Sequence, residues 1–200
     1  MQDIRFVCCV WRLDLDALGK WSQQVDIDYA SASSGVARNP QQVEKWFSEV
    51  AMAEQKVTRL HFYFHDIFDT TSVNVANAQI TKTSPTKFGM SNIMDDPLTV
   101  GPEFHSKQVG RVQGLFSSSD MDEFSLLCAM TLVFTEGKYN GSTLSILGRN
   151  PTLQKHREMP VVGGTGVFRL ARGVALLDFY YFDVPAGNAT VEYNVIVQHY

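Results

Sequence analysis

From Lys56 onward, apolar and polar residues alternate with a period of two, the pattern of β-strands that bury one face. The stretch "KVTRLHFYFHDIF" is the clearest example. It places Leu60, Phe62, Phe64 and Asp66 on one face and basic or aromatic residues on the other. We therefore predict a strand whose apolar face ends at a carboxylate.

Similar stretches fill the rest of the chain, and "SPT", "DDP", "SSSD", "EGKYNG" and "PAGN" separate them as typical turn sequences. About eight antiparallel strands with no helix between them predict an all-β barrel or sandwich. "VALLDFYYFDV" is apolar on both faces, so we expect a subunit interface. The further candidate strands are "VANAQITKT", "FGMSNIMDD", "KQVGRVQGLF", the two halves of "FSLLCAMTLVFTEGKYNGSTLSILG", "GVFRLARG", "VALLDFYYFDV" and "TVEYNVIVQHY".

A helix is predicted ahead of the strands, at residues 39–55. Asn39 serves as its N-cap and Pro40 as its first residue, and the helix is expected to end near Ala53. One apolar face follows at helical spacing, made by Val43, Trp46, Phe47 and Val50. The predicted organisation is thus an atypical, poorly ordered segment over 1–38, this helix, and a β-domain over 56–200.

The composition is that of an ordinary globular domain, with 200 residues, 44% hydrophobic residues and a net charge of −4. The net negative charge argues against nucleic-acid binding. The sequence has no run of about 18 apolar residues, so no membrane span is predicted. Three cysteines without CxxC spacing exclude a disulfide scaffold or a cysteine zinc site. "DDP" at Asp95–Pro97 is interpreted as a turn, with a metal site as the weaker alternative, so no metal or cofactor is expected.

The glycines of "GGTG", Gly163 to Gly166, have neither the Lys-Ser/Thr of a phosphate loop nor the third glycine of a dinucleotide fingerprint. Paired glycines among strands are more typical of a bulge or a tight bend. We therefore predict that they bend the wall of the β-domain.

Asp66 and Arg157 are the candidate chemical groups. If the apolar face of the first strand lines a barrel, burial raises the pKa of Asp66 toward neutrality and suits it to proton transfer. The alternative is a solvated strand end or a pairing with an arginine. Arg157 could orient a phenol or carboxylate through its planar guanidinium, or it could make a surface ion pair.

Two glycosylation sequons, at Asn140 and Asn188, lie in turn-rich segments and favour a secreted protein. The start of the chain gives no such indication. In "MQDIRFVCCVWRLDLD" a short apolar run is followed at once by charged residues, unlike a secretion signal.

Several motifs resemble those of the plant dirigent family, in order from Lys56 to Tyr200: "FYFHDI", "MDDPLT", "SKQVGRVQG", "FTEGKYNGSTLSILGRNP" and "REMPVVGGTGVFRLARG". The resemblance implies an eight-stranded antiparallel β-barrel of the allene-oxide-cyclase-like (calycin-like) type. It also implies a homotrimer secreted to the apoplast. Such a barrel steers the coupling of phenoxy radicals, for example from coniferyl alcohol, in lignan and phenylpropanoid metabolism. A separate laccase or peroxidase makes the radicals.

An alternative within the family is a pterocarpan-synthase-like cyclase, which eliminates water from an isoflavonoid alcohol through a quinone methide. By position, Asp66 and Arg157 match the family's pocket aspartate and arginine. Lignan-forming members usually have Asp-Pro at Asn150-Pro151 and tyrosines near Phe116 and Ser118, so this chain leans toward the second group. The candidate substrate-binding residues are Phe64, Phe116, Ser118 and Asn150.

Overall fold

Nine β-strands and one α-helix make up the regular structure in the computed structural model, which describes residues 39–50, 52–183 and 185–200. The helix is α1, Pro40–Val50. The predicted segment 1–38 lies outside the described residues. The strands are β1 Lys56–Asp66, β2 Ser72–Asn77, β3 Met90–Thr99, β4 Gln108–Ser118, β5 Leu126–Phe134, β6 Thr143–Asn150, β7 His156–Thr165, β8 Arg172–Asp183 and β9 Asn188–His199.

Eight of these strands close into an antiparallel barrel, which confirms the predicted fold class. The hydrogen-bonded order is β1-β9-β8-β7-β6-β5-β4-β3, and β1 pairs with β3 to complete the ring. That seam is short, since only Tyr63 with Thr99 and Phe64 with Leu98 are paired across it. The ninth strand, β2, pairs with β3 alone and flanks the barrel. Each of the eight strands thus has a neighbour on both sides, although most of β1 is not paired with β3.

The alternation of side chains separates a filled end of the barrel from a hollow end. At the filled end, Phe168 is fully buried and its ring packs against Phe134 and Tyr139, with centroids 5.7 and 4.9 Å away. Burial of an aromatic side chain of this size contributes roughly 2–3 kcal/mol to folding. The hollow end lies where β1, β4, β6 and β8 finish and β3, β5, β7 and β9 begin.

The glycine-rich stretch shapes the filled end rather than the hollow one. A register shift between β6 and β7 leaves Val162 unpaired, which is the predicted bulge. A Cβ on Gly164 would lie 2.7 Å from the carbonyl oxygen of Phe168, and Gly166 has φ +64°. The glycines therefore let the chain turn back tightly enough to insert Phe168 into the barrel.

Three local predictions were wrong. The strand predicted at "VANAQITKT" stops early, because β2 ends at Asn77 and Gln79–Lys82 forms a 3₁₀ turn. "GVFRLARG" is not a strand, because Gly166–Phe168 forms a 3₁₀ turn and β8 begins only at Arg172. "DDP" is not a turn but the middle of β3. Proline is tolerated there because the β1–β3 ladder stops at Leu98, next to Pro97, where an N–H would have no partner in β1.

The helix begins as predicted, with the Asn39 side-chain oxygen accepting a hydrogen bond from the Gln42 N–H at 2.9 Å. It ends at Val50, three residues before the predicted end. None of its residues is buried, and Phe47 is half exposed. The guanidinium of Arg169, which precedes β8, lies over the ring of Trp46 at 5.0 Å from the ring centre.

Candidate active site

The hollow end of the barrel contains a cavity of about 500 Å³, a volume typical of small-molecule sites. Its wall is mostly apolar, so a bound molecule would lose most of its contact with water. Polar groups enter from a few strands only. The main apolar lining residues are Phe64, Phe68, Met90, Met94, Phe116, Phe124, Leu126, Met130, Leu177, Phe179, Phe182 and Val191.

Asp66 lies on the cavity wall at the end of β1, with Phe64 on the same face. Its Oδ1 is inaccessible and has no hydrogen-bond partner. Burial raises the pKa of Asp66 to about 6, and the nearby Ser72 hydroxyl offsets only part of this rise. That hydroxyl forms no hydrogen bond of ordinary geometry with the carboxyl group. A carboxyl group with such a pKa can both accept and donate a proton near neutral pH.

Arg157 lies near the start of β7, which is three strands away from β1 in the ring of eight, and it is only 5% exposed. Its guanidinium stacks on Phe179, 4.1 Å from the ring centre, and Nη1 donates to the Asn150 side-chain oxygen at 3.3 Å. Nε and Nη2 are buried without a partner. Burial lowers the pKa of Arg157, but its ordinary value is high enough that the group stays charged. Arg157 therefore places on the cavity wall a guanidinium group with two buried donors that have no acceptor.

Two polar residues of β3 were not predicted as site residues. Asn92 lines the cavity with its Nδ2 unpartnered, while its Oδ1 accepts from the Asn74 side chain at 2.9 Å. Asp96 is fully buried on the same face of β3. The alternation through Met90, Asn92 and Met94 could have revealed Asp96, but the "DDP" sequence favoured a turn.

The predicted substrate-binding residues fall into two groups. Phe64, Phe116 and Asn150 all line the cavity. Ser118 is buried but outside the lining, and its hydroxyl donates to the Thr86 carbonyl oxygen at 2.6 Å. Its contact is thus with the backbone, although its binding role stays a prediction.

The two predicted glycosylation sites differ in exposure. Asn140 is exposed in the turn between β5 and β6. Asn188 is half-buried beside the cavity mouth, and its side-chain oxygen accepts a hydrogen bond from the Phe68 N–H at 3.0 Å. Asn140 is therefore the more accessible acceptor of the two.

With this barrel and cavity in view, comparison with known proteins decides the family. Residues 57–198 match the family described as Dirigent-like protein. The chain is a member of the dirigent family. Dirigent protein 21 of Arabidopsis thaliana is 52% identical over 147 residues, which cover 72% of this chain and 78% of that protein. Pterocarpan synthase 1 of Glycyrrhiza echinata is 48% identical over 151 residues, covering 74% and 80%.

A solved structure of the same family supports the fold. The pterocarpan synthase dirigent protein GePTS1 superposes on this dirigent protein with a TM-score of 0.69 and 46% identity, covering 76% of this chain and 96% of that one. No helix among the described residues is long and apolar enough to cross a membrane.

Proposed function

We propose that this dirigent protein holds a phenolic intermediate in its barrel cavity and determines on which face the new bond forms. One observation carries the proposal. Asp66 and Arg157 both line a mostly apolar cavity, on strands that are three apart in the ring of eight, and each has buried polar atoms without a partner. An aromatic ring fits between the apolar walls, while the carboxyl and guanidinium groups bind oxygens at its two ends. Such a two-point contact orients the ring.

The first candidate chemistry is the coupling of phenoxy radicals that a separate laccase or peroxidase makes from a phenol such as coniferyl alcohol. The barrel then serves only to orient the radicals before they combine. The membership of the dirigent family supports this candidate. A place in lignan or phenylpropanoid metabolism, outside the cell, follows from the same proposal.

The second candidate is a cyclase that eliminates water from an isoflavonoid alcohol through a quinone methide. Two features of the cavity favour it. Phe116 cannot donate a hydrogen bond to a phenol, and Asn150 cannot transfer a proton as a carboxylic acid can. The named pterocarpan synthases among the relatives agree with this candidate.

Two assays on the full chain test the proposal and separate its candidates. For the first, coniferyl alcohol and a laccase are combined with increasing amounts of the protein, and the coupled products are resolved by chiral chromatography. We expect one enantiomer to exceed the other in proportion to added protein. For the second, racemic isoflavonoid alcohols are incubated without oxidant and ring closure is followed. Racemic coupling together with no turnover across a panel of phenolic alcohols would contradict the proposal.

We also propose that the barrel assembles with copies of itself, as a homotrimer. An apolar row crosses the outer surface of five neighbouring strands, because each member pairs with the next in register. Four of its members are roughly half exposed. An exposed apolar row of this length is typical of a surface that another subunit covers. The row consists of Val73, Ile93, Leu115, Ala129 and Leu147.

Replacing Leu147 with aspartate is expected to convert the oligomer into monomers, because a charge would be buried at the subunit contact. Light scattering coupled to size-exclusion chromatography measures the mass. Leu170→Asp is the matched control, since Leu170 is similarly exposed but lies in the turn before β8. A wild-type protein that is already monomeric, or an unchanged mass for Leu147→Asp, would overturn the assembly proposal.

Secretion and glycosylation at Asn140 belong to the same proposal. The exposed turn position of Asn140 supports it. The intact mass of protein recovered from apoplastic fluid, before and after removal of N-glycans, tests both points together.

A further inference from the structure

A second carboxyl group lies close to Asp66, on the neighbouring strand at the barrel seam. β1 and β3 pair at Phe64 and Leu98. Continuing that antiparallel register brings Asp66, two residues beyond Phe64, toward Asp96, two residues before Leu98. Both side chains belong to the inward faces of their strands, as the burial of Phe64 and Leu98 shows. The seam therefore brings two acids together in the interior of the barrel.

The surroundings of the two acids leave both incompletely satisfied. Asp96 is fully buried and its Oδ1 accepts a short hydrogen bond from the Thr71 hydroxyl. Its Oδ2 has no partner, and neither has Oδ1 of Asp66. The two residues also differ in access, because Asp66 lines the cavity whereas Asp96 does not. Only Asp66 can contact a bound molecule.

Electrostatics disfavours two ionised carboxylates at this place. The pKa of Asp96 is raised to about 7, mainly by burial. The hydrogen bond from the Thr71 hydroxyl opposes this rise, and the negative charge of Asp66 adds to it. Burial also raises the pKa of Asp66, to about 6. Because Asp66 lines the cavity whereas Asp96 is fully buried, we expect Asp66 to be the first of the two to ionise. As the pH rises, the pair passes from two protons to one and only then to none.

Other titratable groups near the pair lie on four strands. Arg111 of β4 pairs with Asp95 on the outer face of β3, at 2.6 Å, and these two have smaller, opposite effects on the pKa of Asp96. Cys128 of β5 and Tyr193 of β9 also interact electrostatically with Asp66. Burial raises the pKa of the Cys128 thiol to about 11 and raises that of Tyr193 as well, so both stay neutral where the acids titrate.

We propose that Asp96 is a positioning residue for Asp66, because it keeps one proton beside that carboxyl group. The barrel wall then carries a single negative charge, which lies on Asp66. This inference rests on the proposed function, in which Asp66 exchanges a proton with an oxygen of the phenolic intermediate. Asp66 takes up that proton from one oxygen and returns it to another, while Asp96 keeps its own. When Asp96 is ionised as well, Asp66 would bind a proton taken from the substrate more tightly and return it less readily, and the second negative charge repels an anionic phenolate.

The test follows both carboxyl groups by ¹³C NMR in the ligand-free full chain as the pH is raised. In the wild type we expect each carboxyl signal to report two steps, since the groups are coupled. In Asp66→Asn the midpoint of Asp96 is expected to fall by about one pH unit, because coupled carboxyl pairs interact by at least about that much. In Asp96→Asn the Asp66 signal should show one step only. The asparagine of that variant can still accept the hydrogen bond from Thr71.

Two further variants make the test specific. Asp95→Asn is the matched control, because Asp95 is adjacent in sequence but lies on the outer face, and the Asp66 curve should stay unchanged. Thr71→Val keeps both acids and removes the hydroxyl that favours ionised Asp96, so the Asp96 midpoint should rise. If Asp96 titrates identically in the wild type and in Asp66→Asn, the two acids are independent and the inference is wrong.

A functional pH profile separates positioning from a purely structural role. The wild type should be most active between about pH 6 and pH 7, where the pair holds one proton. Asp96→Asn should keep the acidic limb and lose the alkaline one. The NMR titration needs no substrate, so coupled acids in a protein without phenolic activity would refute only the proposed function. Independent acids in an active protein would refute only the role of Asp96.

Discussion

Replacement of Asp66 by asparagine is expected to remove the function of the cavity while leaving the barrel folded. Asparagine keeps the size of the side chain and the capacity to accept a hydrogen bond, but it cannot exchange a proton. General acid–base catalysis by one positioned group contributes roughly 10²–10⁴-fold, so turnover of a cyclised substrate should fall by about that factor. In radical coupling, the product should become racemic at an unchanged rate of oxidation.

The measurement uses the same two assays as the wild type, with circular dichroism to verify folding. Asp69→Asn is the matched control, because Asp69 is exposed in the turn just after β1 and does not line the cavity. It should retain wild-type turnover and product ratio. Full activity of Asp66→Asn would exclude a proton-transfer role for Asp66 and, with it, the proposed arrangement of the site.

Arg157→Met is expected to stabilise the protein and to inactivate it. The guanidinium is buried, and among the described residues no carboxylate is hydrogen-bonded to it and two of its three nitrogens lack partners. A buried charge without full compensation costs several kcal/mol, and the stacking on Phe179 offsets about 2 kcal/mol of this cost. We expect a net gain of about 1 kcal/mol, which corresponds to a rise in Tm of roughly 2–4 °C for a domain of this size.

Thermal unfolding followed by calorimetry checks the stability, and the two assays check the loss of function. Arg149→Met provides the contrast. Arg149 is half exposed and bridges Asp120 and Glu123 at 3.1 and 2.6 Å, so its replacement should leave the Tm unchanged or lower. A lower Tm for Arg157→Met would mean that the guanidinium holds the barrel together. It would then not be a binding group retained at a cost in stability.

The placement of the site depended on barrel closure, which brings distant segments together. Asp66 and Arg157 are on β1 and β7, and only the ring of eight strands brings both of them to one cavity. The pattern of alternation predicted that Asp66 would end an apolar face, and it does. The alternation pattern could not predict which residues of other strands would lie across the cavity from Asp66.

Local rules were misleading where tertiary contacts overrode them. "DDP" is typical of a turn, yet Asp96 and Pro97 continue β3, because the seam with β1 requires no N–H from Pro97. The Ser118 hydroxyl donates to the Thr86 carbonyl oxygen, a contact that its position in the sequence did not predict, and its binding role stays a prediction. The glycines of "GGTG" were predicted to bend the wall, and the bulge at Val162 agrees. However, they support Phe168 at the opposite end from Arg157.

Most of the strand pattern, the start of α1 and the family were predictable from the sequence, which also singled out Asp66 and Arg157 as candidates. These are local properties, since period, capping and motif spacing act over a few residues. Only the folded barrel reveals the cavity, the buried donors of Arg157 that have no acceptor, and the place of Asp66 and Asp96 beside the same seam. Those depend on which residues burial brings together and leaves without partners, and burial is a property of the closed barrel as a whole.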